Sequence, residues 1–408
     1  MRILHLISQR PDSTGSGIYI QQLIEKSAMA GHSNRLVCGV AKGDIPHLAM
    51  INSAYISCVE FGQRQLPANI VGMSDEMPYP SIRFRDLDHT DIATYEFEFA
   101  RALVAVIRKF RPHIIHSHHL WLLSSLASRL YPQIPMVTTC HGSDIRQFRT
   151  CSHLRARVLS GCRNIPAILA LSEPQKSEIQ SLYHVAPEKI TVIGGGYSSE
   201  LFFQKKKPSP SPVRLIYAGK LSYAKGVPYL LKALTTLEDM DFHLDLVGSG
   251  TGPEYEECML LAGKLAGKIS LHGSVPQTQL AQLMRENHIM ILPSLYEGLP
   301  LTVLEAVASG CRVIATDLVG TREIHSYLPE ADITLIPLPR GLEVDRIPPA
   351  EQPGFIRSLE ESIRASLLRV PTKPDLDLAP LTAGINHFNW NSVYRRCEHV
   401  YNILLGQT

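Results

Sequence analysis

Two glutamates eight residues apart, Glu297 and Glu305, stand in the stretch Leu292–Glu323, LPSLYEGLPLTVLEAVASGCRVIATDLVGTRE. A short apolar run ends just before Glu297, and apolar residues resume at helical spacing after Pro300, so the pattern is strand, loop, helix. Proline is comfortable at a first helical position, and Gly298 permits a tight turn. The amides of Leu299, Leu301 and Thr302 then point into the space beyond the strand end, where unsatisfied N–H groups and the helix dipole make an anion site. Glu305, about one turn into the helix, suits a bidentate grip on a vicinal diol such as a ribose. Glu297, in the loop, suits a second polyol. A phosphate between two diols describes a nucleotide sugar.

The elements that must position these groups alternate along the chain. Arg2–Ser8, RILHLIS, reads as a buried strand, followed by a turn-prone stretch Pro11–Gly17 and a helix carrying Ile20, Leu23, Ile24 and Ala28 on one face. Strands follow at Asn34–Val40, His113–Ser117, Pro135–Thr139 and Ile165–Leu171, with a helix over Glu96–Arg111. After Gln204–Pro212, QKKKPSPSP, the pattern repeats. Strands read at Val213–Ala218, His243–Val247, Ile269–His272, Ile289–Leu292 and Val313–Ala315. Helices read at Val227–Leu237, Glu254–Leu265, Gln279–Asn287 and Thr302–Ser309. Alternating strands and helices are the mark of an α/β domain with a parallel sheet. Its ligands bind outside the carboxyl ends of the strands, and Gly219, Gly248, Gly273, Ser294 and Thr316 stand there.

The expected division is an N-terminal domain over 1–203, a proline-rich linker over 204–212, a C-terminal domain over 213–385 and a closing helix over 386–408. That last segment places Val393, Cys397, Val400, Tyr401 and Leu404 on one face. Pro329–Pro353 reads as irregular, with a helix after it at Phe355–Leu368. A length of 408 residues favours two or three domains, and 45% hydrophobic with 19% charged residues excludes wholesale disorder. Forty basic against 38 acidic side chains give a net charge of +2, which argues against nucleic acid as a partner. No apolar run approaches membrane-spanning length, and Ile3–Ile7 is too short for a secretory signal. Eight scattered cysteines without a Cys-x-x-Cys pair suit reduced thiols in the cytoplasm.

Glu297-x7-Glu305, with Gly298-Leu299-Pro300 between them and Ala306, Gly310, Val313 and Gly320 after, resembles the signature of family 4 retaining glycosyltransferases, the glycosyl transferases group 1. The resemblance covers almost the whole chain. It implies the GT-B fold: α/β, with two Rossmann-like doubly wound parallel-sheet domains facing a cleft. Tyr217–Gly226, YAGKLSYAKG, resembles the loop that supplies an Arg/Lys pair to the donor diphosphate, and the matching positions are Lys220 and Lys225. Lysine at 220 keeps the charge of the usual arginine but loses its fork. Val247–Gly250, VGSG, resembles the next glycine-rich strand end and adds Gly248. Leu271–Val275, LHGSV, matches the segment whose backbone reads the nucleobase, and adds Val275. Gly15-Ser16-Gly17 resembles the glycine loop over the diphosphate. His141-Gly142-Ser143-Asp144 resembles the histidine motif near the donor sugar, and Phe388–Tyr401 the helix that crosses back to the N-terminal domain. The chain departs from the family at Ile193–Phe202, at Pro329–Pro353, and at Cys140–Cys162 with His153.

The resemblance implies a retaining enzyme that moves a sugar from a nucleoside-diphosphate sugar, UDP-linked, to an acceptor hydroxyl, with no metal and no further cofactor. His141, Lys220, Lys225 and Glu297 are the catalytic candidates. Gly15, Gly17, Gly248, Val275, Gly298, Leu299, Pro300, Leu301, Thr302 and Glu305 are the donor-binding ones. The acceptor stays open among glycans, lipid-linked sugars, natural products and small metabolites. Rival readings are a GT-B epimerase or phosphorylase, and a catalytically silent subunit that binds nucleotide sugar for a partner transferase. A nicotinamide dehydrogenase would rest on Gly15-x-Gly17 alone and lacks the third glycine.

Three further features are weighed. His113, His116, His118 and His119 form a dense cluster, with His116 and His118 on one strand face. A metal site there is weighed against a strand running toward substrate. Asp86-Leu87-Asp88 and Asp375-Leu376-Asp377 match an Asp-x-Asp metal motif without the buried strand it requires. The helix Glu96–Arg111 sets Ala100, Leu103, Val104, Ile107 and Phe110 on one face, with Arg101, Arg108, Lys109 and Arg111 as positive charge. It reads first as core-packed, and second as a peripheral contact with the inner membrane face.

Overall fold

The apolar run at the N terminus forms β1 (Arg2–Ile7), with five of its six residues buried in a computed structural model that describes residues 1–48, 50–75, 77–342 and 346–407. The following strands are β2 (Ser33–Ala41), β3 (Ile56–Phe61), β4 (Ile70–Gly72), β5 (Ser81–Arg83), β6 (Ile114–His118), β7 (Met136–Thr139), β8 (Ala167–Ala170) and β9 (Ile190–Val192). Seven of them make one parallel sheet in the order β3-β2-β1-β6-β7-β8-β9, and β4 and β5 pair separately. The order reverses between β1 and β6, where a parallel α/β sheet opens its ligand crevice. Register sets His5 beside His116 and His118 beside Thr139.

Contacts divide the chain into two compact units. The first holds Met1–Gly195 and the segment beginning at Trp390, and the second is Gly196–Asn389. The helix Trp390–Leu404 buries Trp390, Val393, Tyr394, Cys397, Val400 and Tyr401 in one cluster with Ile3, Tyr19 and Leu23. Its apolar stripe therefore completes the core of the first unit.

The helix after β1 spans Gly15–Met29, and the Thr14 hydroxyl caps it by accepting from Gly17 N at 3.1 Å. Gly15 and Gly17 thus form the first helical turn rather than a loop ahead of it. The expected helix over Glu96–Arg111 is longer, His89–Phe110, and begins at a reciprocal capping box between Asp88 and Asp91. Val104 does not join its buried face and is 54% exposed. No described helix is long and apolar enough to cross a membrane.

The second unit contains β10 (Val213–Ala218), β11 (Phe242–Val247), β12 (Ile269–Gly273), β13 (Ile289–Leu292), β14 (Arg312–Thr316) and β15 (Ile333–Ile336). All pairs are parallel in the order β12-β11-β10-β13-β14-β15. This is the doubly wound dinucleotide-fold order, with its switch between β10 and β13. The helices Val319–Tyr327 and Thr382–His387 escaped the sequence pattern, as did β15, which lies inside the stretch expected to be irregular. Residues 343–345 of that stretch lie outside the described residues.

Gln204–Pro212 has no regular structure, as its prolines require, yet it is held against the second unit. Lys207 is 5% exposed, and its Nζ donates to the carbonyls of Met284 and Ser309 at 2.9 Å each. Its backbone N–H donates to Asp375 Oδ1 at 2.8 Å, and Gln204 Nε2 donates to the Leu376 carbonyl at 2.6 Å.

Candidate functional site

The second-unit candidates collect at the carboxyl ends of β10, β11 and β13. β13 ends at Leu292, and the loop beyond it carries Glu297, whose Oε1 accepts from Lys225 Nζ at 2.6 Å and from Ser294 Oγ at 2.8 Å. The Lys225 loop follows β10 and is tied to the Glu297 loop by Leu295 N donating to the Ala224 carbonyl at 2.9 Å. The Lys225 and Glu297 side chains remain 30% and 18% exposed, so a ligand can reach the pair. Lys220 lies exposed in the same loop, and its carbonyl accepts from the buried Tyr217 hydroxyl at 2.7 Å.

Glu305 is in a different state. It sits in the helix Leu301–Ala308 and is 5% exposed. No ion pair or side-chain hydrogen bond holds its carboxyl among the described residues, and burial raises its pKa to about 8. The helix starts from Pro300 with no side-chain cap, so the N–H groups of Leu301 and Thr302 have no partner within the helix. Leu299 and Pro300 are buried behind this start, and Gly298 is exposed ahead of it. A buried carboxyl beside uncapped amides is an arrangement that a ligand with hydroxyl and anionic groups would complete.

Backbone approach at the strand ends is close. Gly248 has φ +140°, and a Cβ there would stand 1.7 Å from the Gly219 carbonyl oxygen. The turn it makes ties three strand ends together: Gly219 N donates to the Val247 carbonyl at 3.0 Å, and Gly248 N to the Gly273 carbonyl at 2.8 Å. Val275 is half-buried just past β12, beyond the Ser249–Ser274 hydroxyl contact of 2.8 Å. Gly320 opens the helix Val319–Tyr327 beneath the Glu297 loop, where a Cβ would lie 2.1 Å from the Gly298 carbonyl oxygen.

Gly15, Gly17 and His141 belong to the first unit. His141 follows β7, and its backbone N–H donates to the Asp144 carboxylate at 3.2 Å. Asp144 is buried and also accepts from Leu120 N at 2.8 Å, which fixes the turn into the helix Ser143–Thr150. Tyr19, from the helix that Gly15 and Gly17 begin, stands edge-on to the His141 ring with centroids 5.1 Å apart. His119, at the end of β6, has φ +72°, a strained value for a side-chain-bearing residue.

The histidine cluster differs from the one expected. His113 lies apart from it, accepting from Arg2 N at 3.2 Å, and His5 from the neighbouring strand takes its place. One ring nitrogen from each of His5, His116 and His118 lies within 4.8 Å of the others. His116, however, is fully used: Nδ1 is 2.6 Å from the Tyr401 hydroxyl and Nε2 is 2.7 Å from Thr139 Oγ1. A neutral imidazole has one lone pair, and here a hydroxyl occupies it, so His116 offers a cation nothing in this arrangement. Burial pushes His5 and His119 down to about 4, and pushes His116, His118 and His141 well below the ordinary histidine range. His5 was visible in the sequence only as one polar residue inside an apolar strand.

The two Asp-x-Asp segments have structural employment. Asp86 pairs with Arg83 at 2.6 Å, Asp88 caps a helix, Asp375 holds Lys207 N, and Asp377 accepts from Ala379 N at 3.0 Å.

Two family models match consecutive parts of the chain: Glycosyltransferase Family 4 over residues 13–201 and Glycosyl transferases group 1 over residues 198–326. Together they span residues 13–326, over which the chain resembles the GT-B glycosyltransferases. Among curated glycosyltransferase relatives, the glycogen synthase of Mycobacterium tuberculosis is 27% identical over 227 residues, which are 53% of this chain and 55% of that protein. The match thus spans about half of that relative's length. Among solved structures, the sucrose-phosphate synthase of Thermosynechococcus elongatus superposes with a TM-score of 0.71 at 18% identity, covering 100% of both chains. HepE of Anabaena, solved with UDP and glucose, gives 0.61 at 14% identity, covering 99% of this chain and 100% of its own. At such identities the structural likeness speaks for the GT-B fold alone.

Proposed function

We propose that the chain is a retaining glycosyltransferase that moves a sugar from a nucleoside-diphosphate sugar, UDP-linked, to an acceptor hydroxyl without a metal ion. The observation that carries this reading is Glu305, a buried carboxyl with no side-chain partner among the described residues, beside an uncapped helix start. A ribose diol supplies the two hydroxyls that Glu305 lacks. The diphosphate lies against the amides of Leu301 and Thr302, with Lys225 and Lys220 as counter-charges.

In the transfer, the bond from the anomeric carbon to the diphosphate oxygen breaks as the acceptor oxygen bonds to the same face. The acceptor proton passes to the departing diphosphate oxygen. Charge grows on the diphosphate, where preorganised donors and cations act most strongly. Glu297 orients the donor sugar through its hydroxyls and is not the nucleophile.

The test is thermal stability with saturating UDP, GDP and ADP, each in EDTA and then with Mg²⁺, for the wild type and Glu305→Ala. A ligand at about 100 times its Kd stabilises by about 2.7 kcal/mol, a visible shift. A shift with UDP in EDTA, lost in Glu305→Ala, is the expected result. No shift with any nucleotide overturns the donor site, and a shift that needs Mg²⁺ overturns metal independence. The anomeric configuration of the product, read by NMR, decides retention.

A further inference from the structure

All eight cysteines are free thiols, and seven of them are buried; Cys58 alone is half-buried. Cys58 stands on β3, the edge strand of the first sheet, and its register partner on β2 is Cys38. Neighbouring strands lie about 4.8 Å apart, which is within the Cα separation that a disulfide spans. Packing places both side chains on one face. Cys38 belongs to the buried cluster of Ile7, Ile20, Ile24 and Leu36, and Cys58 packs against its margin. Val37 and Val59, next along each strand, turn to the opposite face and enter the larger core. Two thiols therefore stand side by side, one sealed in the core and one within reach of solvent.

The two are chemically unequal. Hydrogen bonding with Cys38 holds the Cys58 thiol below the ordinary cysteine range. The same interaction, together with burial, holds Cys38 well above that range. The remaining six thiols are all pushed up by burial. The thiolate is the nucleophile in cysteine chemistry, so Cys58 is the sulfur that attacks. We propose that Cys58 and Cys38 form a thiol–disulfide exchange site for a small-molecule disulfide, with Cys58 as the attacking thiol and Cys38 as the resolving one. In the first step Cys58 Sγ bonds to one sulfur of the small disulfide, whose S–S bond breaks, and one small thiol leaves with the Cys58 proton. In the second step Cys38 Sγ bonds to Cys58 Sγ, the mixed disulfide breaks, and the second small thiol leaves with the Cys38 proton. Two protein thiols are oxidised and one small disulfide is reduced to two thiols, so no other oxidant enters. The product ties the edge strand of the sheet to its neighbour, and a small dithiol in excess reverses it. The site does not rest on the sugar-transfer reading.

The test is reaction of the folded, reduced chain with dithiodipyridine, a small aromatic disulfide whose released thiopyridone absorbs light, followed by intact and peptide mass. The wild type should quickly release about two thiopyridones per chain, keep no adduct, and become lighter by two hydrogens, the stoichiometry of attack followed by resolution. The peptides holding Cys38 and Cys58 should be cross-linked, and dithiothreitol should separate them. Cys38→Ala should release about one thiopyridone and keep the adduct on Cys58. Cys58→Ala should lose the fast release. A wild-type chain that keeps its adduct overturns resolution by Cys38. No fast release, or an adduct or cross-link at another cysteine, overturns the site. These outcomes are read on the wild type, so a variant that fails to fold leaves the decision intact.

Discussion

Lys225 Nζ and Glu297 Oε1 are 2.6 Å apart, joining two loops 72 residues distant in sequence, and Ser294 Oγ supports the same carboxylate oxygen at 2.8 Å. Both side chains are partly exposed, so the ion pair adds at most about 1 kcal/mol to stability. On the proposed function, it holds a carboxylate for sugar hydroxyls and an ammonium for phosphate ready at one place. Lys225→Met should therefore lower kcat/KM for the donor by about 100- to 1,000-fold, as loss of a transition-state charge contact does, and leave the melting temperature nearly unchanged. Steady-state kinetics beside a thermal melt checks this. Full turnover in Lys225→Met would make the pair purely structural.

Glu305 is expected to link nucleotide binding to pH. Its folded-state pKa is raised to about 8 by burial, while the unfolded chain titrates near 4.5. Between those values the folded state binds more protons, so this group's contribution to stability is full below about 4.5 and is lost as pH rises through about 8. Glu305→Gln, which cannot ionise, should gain up to about 5 kcal/mol over the wild type above pH 8, and should lose the UDP-induced shift. The diol favours the ionised carboxylate, so UDP binding should release a proton near pH 7. Titration calorimetry in buffers of different ionisation heat measures that release, and a count of zero would refute the grip.

Much of the fold was legible in the sequence because parallel strands are buried on both faces and read as short apolar runs. β10, β11, β13 and β14 sit within a residue or so of the expected positions. β15 escaped because its ITLI lies among prolines and only one of its four residues is fully buried. The strand–loop–helix around Glu297 and Glu305 was legible because the proline, the glycine and the helical spacing are local. The Lys225–Glu297 bond and the entry of His5 beside His116 were not, since each depends on which strands become neighbours. Sequence could number those residues without saying that they touch.

Close backbone approach predicts opposite outcomes at two glycines. Gly248→Ala would put a methyl 1.7 Å from the Gly219 carbonyl oxygen at a φ of +140°. It should cost more than about 2 kcal/mol and abolish the nucleotide shift, because the turn ties three strand ends. Gly263, the last residue of the helix Gly252–Gly263, has open space where a Cβ would stand. Gly263→Ala should be neutral or stabilise by about 0.5–1 kcal/mol. Urea unfolding of both variants is the measurement, and equal stabilities would mean that the strand ends yield easily.

Five histidines in the first unit predict acid sensitivity with the sign opposite to that of Glu305. His5, His116, His118, His119 and His141 are all held below the ordinary histidine pKa, first by burial. Each titrates near 6.5 in the unfolded chain, so below that pH the unfolded state binds more protons and stability falls as pH drops. For His5 and His119 the fall continues to about pH 4, and the other three are likewise held well below the ordinary range by burial. At pH 5.5 each fully buried histidine costs about 1.4 kcal/mol relative to neutral pH, which makes several kcal/mol together. His116→Gln can keep one donor and one acceptor for Tyr401 and Thr139, and it should reduce the slope between pH 6 and 5 by about 1.4 kcal/mol per pH unit. Urea unfolding from pH 7.5 to 5 in the Glu305→Gln background removes the opposing carboxyl from the comparison. A flat profile there would show that the cluster accepts protons without opening, against the burial that its hydroxyl partners and orphaned nitrogens describe.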